Sequence, residues 1–257
     1  MTDIISVISG KGGVGKTTVV SNLGCALAKR GKKVLVIDGN VTGASLALHL
    51  GVPDMHPTSL NDVLKNKAFL TQAIYNHPSG FLVIPAKLND LEANLGGLEK
   101  HLGGLVGTND VILIDAAAGV SEEVEAAVNV SDKVLVVTNP EHAAVLNALT
   151  AKKLAQKKGK DILGIALNNV RGEKHELTCD QIEALLEVPI IAKIPHQWKV
   201  LNAISKRQPF VETAPKSAAT KAIHDLSYVI AGEAVPKEKM MQKLGRAVSK
   251  DFVLRVE

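Results

Sequence analysis

The chemistry of this chain is concentrated in Ser9-Gly10-Lys11-Gly12-Gly13-Val14-Gly15-Lys16-Thr17-Thr18. The stretch follows the apolar run Ile4-Ile5-Ser6-Val7-Ile8 and precedes the helix-forming run that starts at Val19. Strand, glycine loop and helix in that order make a phosphate-binding loop of the form G-x-x-x-x-G-K-T. Glycines let successive backbone N–H groups turn toward an anion, and the following helix contributes partial positive charge at its N-terminus. In such a loop Lys16 reaches the outer phosphates and the Thr17 hydroxyl reaches a magnesium ion. Two carboxylates, Asp38 and Asp115, stand after other apolar runs, where oxygen ligands for that ion belong.

The elements that must position these groups alternate along the chain. Apolar runs at Val34–Ile37, Phe81–Ile84, Val111–Ile114, Val134–Val137, Ile162–Leu167 and Ile190–Ile194 read as strands. They are followed by Asp38, Pro85, Asp115, Thr138, Asn168 and Pro195, so polar and turn residues gather at one edge. Helical periodicity is clear over Lys16–Arg30, Glu141–Lys158, Cys179–Glu187 and Lys216–Ala231, with Ser59–Lys65 and Leu70–Tyr75 as shorter helices. This alternation predicts an α/β fold, a doubly wound and mostly parallel sheet with helices on both faces. Ligands bind such sheets at the carboxyl edge of the strands.

The 257 residues suffice for one large core, and aromatics make up only 3%, which leaves Val, Ile, Leu and Ala to fill it. Cys25 and Cys179 share no C-x-x-C spacing and read as reduced thiols. With no signal peptide and no apolar run of membrane-spanning length, the expectation is a cytoplasmic protein. The eight histidines lack ligand spacing, and no serine or cysteine nucleophile motif is present. Gly232 and Pro236 mark the boundary between a globular body, 1–232, and a tail, 233–257.

Lys11 places a second lysine inside the loop, and K-G-G-V-G-K-T-T resembles the deviant phosphate loop of the MinD/ParA family of ATPases. The resemblance covers roughly residues 1–232, including Thr138-Asn139-Pro140-Glu141 and the segment from Val188 to Pro195. It is greatest for compact archaeal-type MinD-like members. It implies ATP and Mg2+ as cofactors, and an ATP-dependent homodimer in which Lys11 contacts the partner's nucleotide. It further implies that Gly10, Gly12, Gly13, Val14, Gly15 and Thr18 cradle phosphates with Lys11, Lys16 and Thr17. Asp115-Ala116-Ala117-Ala118-Gly119 resembles the second switch, D-x-P-A-G, with alanine where the family has proline; a looser turn is expected, with Gly119 near the γ-phosphate. The first switch, D-x-D in the family, reads Asp38-Gly39-Asn40. Asn40 cannot take up a proton as a carboxylate can, yet its amide oxygen can orient water, and phosphoryl transfer depends mainly on positioning. A slow ATPase is the expectation. Asn168 and the segment Pro195-His196-Gln197 match the family's adenine-binding positions.

The tail carries most of the charge. Of the formal +4, Pro236–Glu257 holds +3 through six basic and three acidic residues. Met240, Met241, Leu244, Ala247 and Val248 share one helical face, opposite Lys239, Lys243, Arg246 and Lys250, the pattern of an interfacial membrane helix. The favoured function is therefore a spatial-positioning ATPase. Its ATP dimer would cycle to the inner face of the cell membrane through Lys239–Lys250 and engage a regulatory or cargo protein. Two alternatives are a ParA-like ATPase bound to DNA and a nucleotide-dependent scaffold with little turnover.

Overall fold

The computed structural model describes residues 2–52, 58–90 and 92–236. In its first half β1 (Asp3–Ser9), α1 (Lys16–Lys29), β2 (Val34–Gly39), α2 (Leu46–Leu50) and α3 (Leu60–Leu64) lead to the hairpin of β3 (Tyr75–Asn76) and β4 (Leu82–Ile84). Next come α4 (Glu99–Leu102), β5 (Val111–Ala118), α5 (Glu122–Val130), β6 (Lys133–Thr138) and α6 (His142–Lys157). The chain continues through β7 (Asp161–Val170), α7 (Cys179–Leu186), β8 (Ile190–Pro195), α8 (Trp198–Ser205), α9 (Phe210–Thr213) and α10 (Ala218–Ile230).

Strand order is β3-β4-β2-β5-β1-β6-β7-β8, parallel throughout except for the antiparallel β3 at one edge. β1 sits in the middle, between β5 and β6. The chain winds outward from β1 in one direction and later returns across it to build the other half. The loop after β1 therefore lies at the carboxyl edge, beside the place where the winding reverses.

Both faces of the sheet are buried, and the period of two along each strand divides the core. Ile4, Ile8, Leu35, Ile37, Ile112, Ile114, Val134 and Val136 point into one layer, which α5, α6 and α7 cover. Ile5, Val7, Val34, Val36, Leu113, Leu135 and Val137 point into the other, beneath α1 and α10. Such two-sided burial explains why the strands read as unbroken apolar runs. Among the described residues, no helix is long and apolar enough to cross a membrane. The expected amphipathic segment Lys239–Lys250 lies outside the described residues.

Several expected boundaries move. β5 runs through Asp115 to Ala118, and β7 runs through Asn168 to Val170, so both polar residues lie inside strands rather than after them. Residues 70–75 form a single 3-10 turn, Leu70–Ala73, before the short strand β3. The helix α5 was not expected, although Ser121 at its N-cap and Glu122, Glu123 and Glu125 in its first turn are a start signal.

Candidate nucleotide-binding site

Residues Gly10–Gly15 leave β1 and deliver the chain to the N-terminus of α1 at Lys16. Two glycines there are required by geometry. Gly15 is left-handed, with φ 87°, and a Cβ on it would lie 2.2 Å from Nδ2 of Asn168. Gly10 packs directly on the backbone of α6, where a Cβ would come within 1.9 Å of the Asn147 carbonyl oxygen. The loop is thus held between α6 and β7, with Asn168 Nδ2 donating to the Val14 carbonyl at 2.8 Å.

Beneath the loop, buried Lys16 Nζ donates to Asp115 Oδ1 at 2.7 Å. Asp115 faces Asp38 across the β2–β5 ladder, in direct register. Asp38 Oδ2 accepts the backbone N–H groups of Ser45 and Leu46, at 3.1 and 3.0 Å, and Oδ1 accepts that of Asn40 at 3.2 Å. Thr17 Oγ1 lies 3.3 Å from Ser45 Oγ, so one network links Thr17, Ser45 and Asp38. Burial, then the neighbouring Asp115, push the Asp38 carboxyl from 3.8 up to about 7. Asp115 Oδ2 is buried with no hydrogen-bond partner among the described residues. Two carboxylates facing one ammonium, with a carboxylate oxygen left over, suit a hard oxygen-seeking cation.

A cleft of about 360 Å³ opens above this network, lined by Ser9 and the loop from Lys11 to Thr18 with Asn40, Ser45, His49 and Ala118. Lys11 lines it too, but its Nζ reaches sideways to Glu141 Oε2 at 3.0 Å, at the N-cap of α6. The Asn40 amide, whose oxygen the sequence reading offered as a group to orient water, also closes a local turn. Its Nδ2 donates to the Gly43 carbonyl at 2.7 Å, and its Oδ1 accepts the Gly43 N–H at 3.2 Å, closing the turn 40–43. The second switch is also tighter than expected. Ala117 has no ring to break the ladder, β5 persists to Ala118 opposite Ser9, and Gly119 N donates to the Ser9 carbonyl at 2.9 Å. Ala118 rather than Gly119 lines the cleft.

On the other side of the loop lies a second cleft of about 200 Å³, whose walls include Gly13, Gly15, Thr18, Asn168, Pro195 and His196. Val200, Leu201 and Ile204 of α8 complete it. His196 is fixed by Nδ1, 2.5 Å from Asn169 Oδ1. Asn139, with its amide turned to satisfy both ends, donates to the Val14 and Asn168 carbonyls at 3.0 and 3.2 Å. The sequence pointed to Asn168, Pro195 and His196 but missed Ser45, His49 and the α8 residues. An amphipathic pattern after Gln197 was the available signal for α8, and Ser45 before Leu46–Leu50 with Gly51 after them was the signal for α2.

A glycine loop feeding a helix, a buried lysine under it, paired carboxylates on adjacent strands and clefts on both flanks define a P-loop protein with a doubly wound sheet. Residues 5–210 match the CobQ/CobB/MinD/ParA nucleotide binding domain, and the chain belongs to that family. An uncharacterized ATP-binding protein of Methanocaldococcus jannaschii is 39% identical over 245 residues, covering 93% of this chain and 92% of that protein. The septum site-determining protein MinD of Pyrococcus horikoshii, solved complexed with Mg-ADP, superposes with a TM-score of 0.85 at 33% identity. That match covers 90% of this chain and 96% of the other. Aquifex aeolicus MinD, solved as a MinC:MinD complex, gives a TM-score of 0.82 at 30% identity, covering 92% of this chain and 98% of that one. ATP hydrolysis is the activity of the MinD/ParA ATPases, and this chain is a MinD-like member.

Proposed function

We propose that this chain is an ATP-driven molecular switch. It binds Mg-ATP, pairs with a second copy while ATP is bound, hydrolyses ATP slowly, and in the paired state engages a membrane surface and a regulatory or cargo protein. The observation that carries the reading is the buried Lys16–Asp115–Asp38 arrangement at the base of the phosphate loop. The orphaned Asp115 Oδ2 and the cation-seeking carboxylate pair fit magnesium, with Thr17, Asp38 and Asp115 as the residues that would hold it, directly or through water. Bound there, magnesium would neutralise charge on the phosphate oxygens.

The chain's own residues supply the rest. Backbone N–H groups of Gly12–Thr18 and the start of α1 would face the phosphates. Lys16 would exchange its carboxylate for phosphate oxygens, releasing Asp115 toward the cation. Asn168, Pro195 and His196 would hold the base in the smaller cleft, and Asn168 already fixes the loop on that side. Asp38 holds the 40–46 segment through three backbone bonds, so a change in its charge would be felt where the attacking water must be placed.

The pairing step is supported by Lys11. Its ion pair with Glu141 is partly solvent-exposed, and such surface pairs contribute under about 1 kcal/mol, so release toward a partner's nucleotide costs little. Lys11→Ala should bind ATP with less than about tenfold loss, roughly 1.4 kcal/mol. It should nevertheless remain monomeric in size-exclusion chromatography with a non-hydrolysable ATP analogue that dimerises the wild type. Normal dimerisation of the variant would assign Lys11 to its own subunit alone.

A further inference from the structure

Two clefts flank α8, and only one belongs to the nucleotide site. Val200, Leu201 and Ile204 face the smaller cleft beside the loop, whereas Trp198, Lys199 and Lys206 line a separate groove of about 280 Å³. The segment Ala214-Pro215-Lys216, leading into α10, closes its far side. Trp198 is the chain's single tryptophan and is 66% exposed; Leu201, one turn on, is 56% exposed. Leu201 lines the smaller cleft, so Trp198 alone presents a large apolar side chain to the groove, over the buried Ala203 and Ala214 of its lining. Around them stand exposed Lys199, Lys206 and Lys216. None of the three has a carboxylate partner among the described residues, and no acidic side chain lines the groove. The N-terminus of α10, capped by Ser217, adds partial positive charge at the same place.

We infer that this groove binds an acidic peptide segment of a partner protein, with carboxylates flanking one apolar anchor seated against Trp198. Charge complementarity selects this occupant. The chain's own tail, Pro236–Glu257, carries +3 and would be repelled by the three lysines. A polynucleotide needs a basic track along its length, whereas these lysines ring one pocket whose buried lining includes Ala203 and Ala214. The groove is also tied to the loop side of the molecule. The N-cap residue of α8, Gln197, accepts the backbone N–H of Ala219 at 3.1 Å, joining the start of α8 to the start of α10. A base in the smaller cleft would touch the same helix that walls the groove, and any effect of nucleotide on peptide affinity would be matched by an equal effect of peptide on nucleotide affinity. That coupling rests on the nucleotide reading above; the groove does not.

The test is a random 12-residue peptide library selected on the full chain, with each selected peptide titrated against Trp198 fluorescence. Selected peptides are expected to be net acidic around one aromatic or leucine residue, and to shift Trp198 emission saturably. They should bind the K199E/K206E/K216E variant at least tenfold more weakly, and the milder triple Lys→Gln variant by an intermediate factor. Both variants should keep wild-type affinity for a fluorescent ATP analogue. Peptides that leave Trp198 unmoved, or that bind the charge-reversed variant equally, overturn the inference. So does saturation of the same signal by a single-stranded 20-nucleotide DNA when no peptide achieves it, or a Trp198 already shielded from acrylamide in the free full chain. Failure of the wild type to bind the ATP analogue would instead remove the nucleotide reading and leave the peptide result standing.

Discussion

Asn40 stands beside the phosphate cleft and at the same time holds a local turn. Its amide both donates to and accepts from Gly43, so the turn 40–43 is built around asparagine. Asn40→Asp would keep the acceptor but lose the donor and bring a carboxylate against the Gly43 carbonyl. We expect a melting temperature lower by the equivalent of about 1 kcal/mol. Steady-state ATPase should nevertheless rise about tenfold, a change of roughly 1.4 kcal/mol in the barrier, because a carboxylate then stands beside the phosphate cleft. A lower rate would mean that the intact turn matters more to turnover than the missing acid. Asp38 offers a second test. Its carboxyl is raised from 3.8 to about 7, so its contribution to folding is fully present below about pH 3.8 and is lost as pH rises through about 7. A cation that binds the ionised form competes with that proton. The thermal shift produced by Mg-ATP should therefore be larger at pH 8 than at pH 6, and an equal shift would place the cation away from Asp38.

At the scale of elements, the site depends on how closely α6 approaches the loop. Gly10 has no room for a side chain, since its Cβ would overlap the carbonyl of Asn147. Gly10→Ala must push α6 or the loop aside. A destabilisation of about 1–3 kcal/mol is expected in denaturant unfolding, with a marked loss of ATP affinity in calorimetry, because the loop's N–H groups are displaced as a set. Full retention of both would mean that α6 is not part of the loop's support. This dependence was invisible in the sequence, where Gly10 reads as one more flexible loop residue. The loop itself, the seven parallel strands and the long helices were legible because two-sided burial leaves apolar runs and helix faces leave a 3.6-residue period. Strand ends were not legible. Asp115 and Asn168 are polar, so each was read as a terminus, whereas the ladders continue through them to Ala118 and Val170. The five-residue α2 is too short to carry a clear period and the amphipathic pattern of α8 went unread, yet Ser45 and Leu46 at the start of α2 hold Asp38, and α8 walls the smaller cleft.

For the whole molecule, the proposed switch would have to turn nucleotide state into location. Among the described residues α10 is the last element, and the segment beyond Pro236 carries three of the four excess positive charges. One short amphipathic segment binds anionic lipid only marginally, whereas two joined in a dimer gain by effective concentration. The prediction is that the full chain sediments with vesicles containing anionic lipid in the presence of a non-hydrolysable ATP analogue, but not with ADP. Leu244→Glu would place a charge in the apolar stripe and should abolish sedimentation at every salt concentration while leaving analogue-driven dimerisation intact. Replacing Lys243 and Arg246 with alanine should instead weaken binding to anionic vesicles by about 1 kcal/mol per residue and tail, an effect that fades as salt rises. The two variants separate insertion from surface attraction. A Leu244→Glu protein that melts earlier, from a wild type that ignores vesicles in every nucleotide state, would mean that the stripe packs on the body. The switch would then act in solution or on another polyanion, and steeply salt-dependent co-sedimentation with DNA would identify the latter.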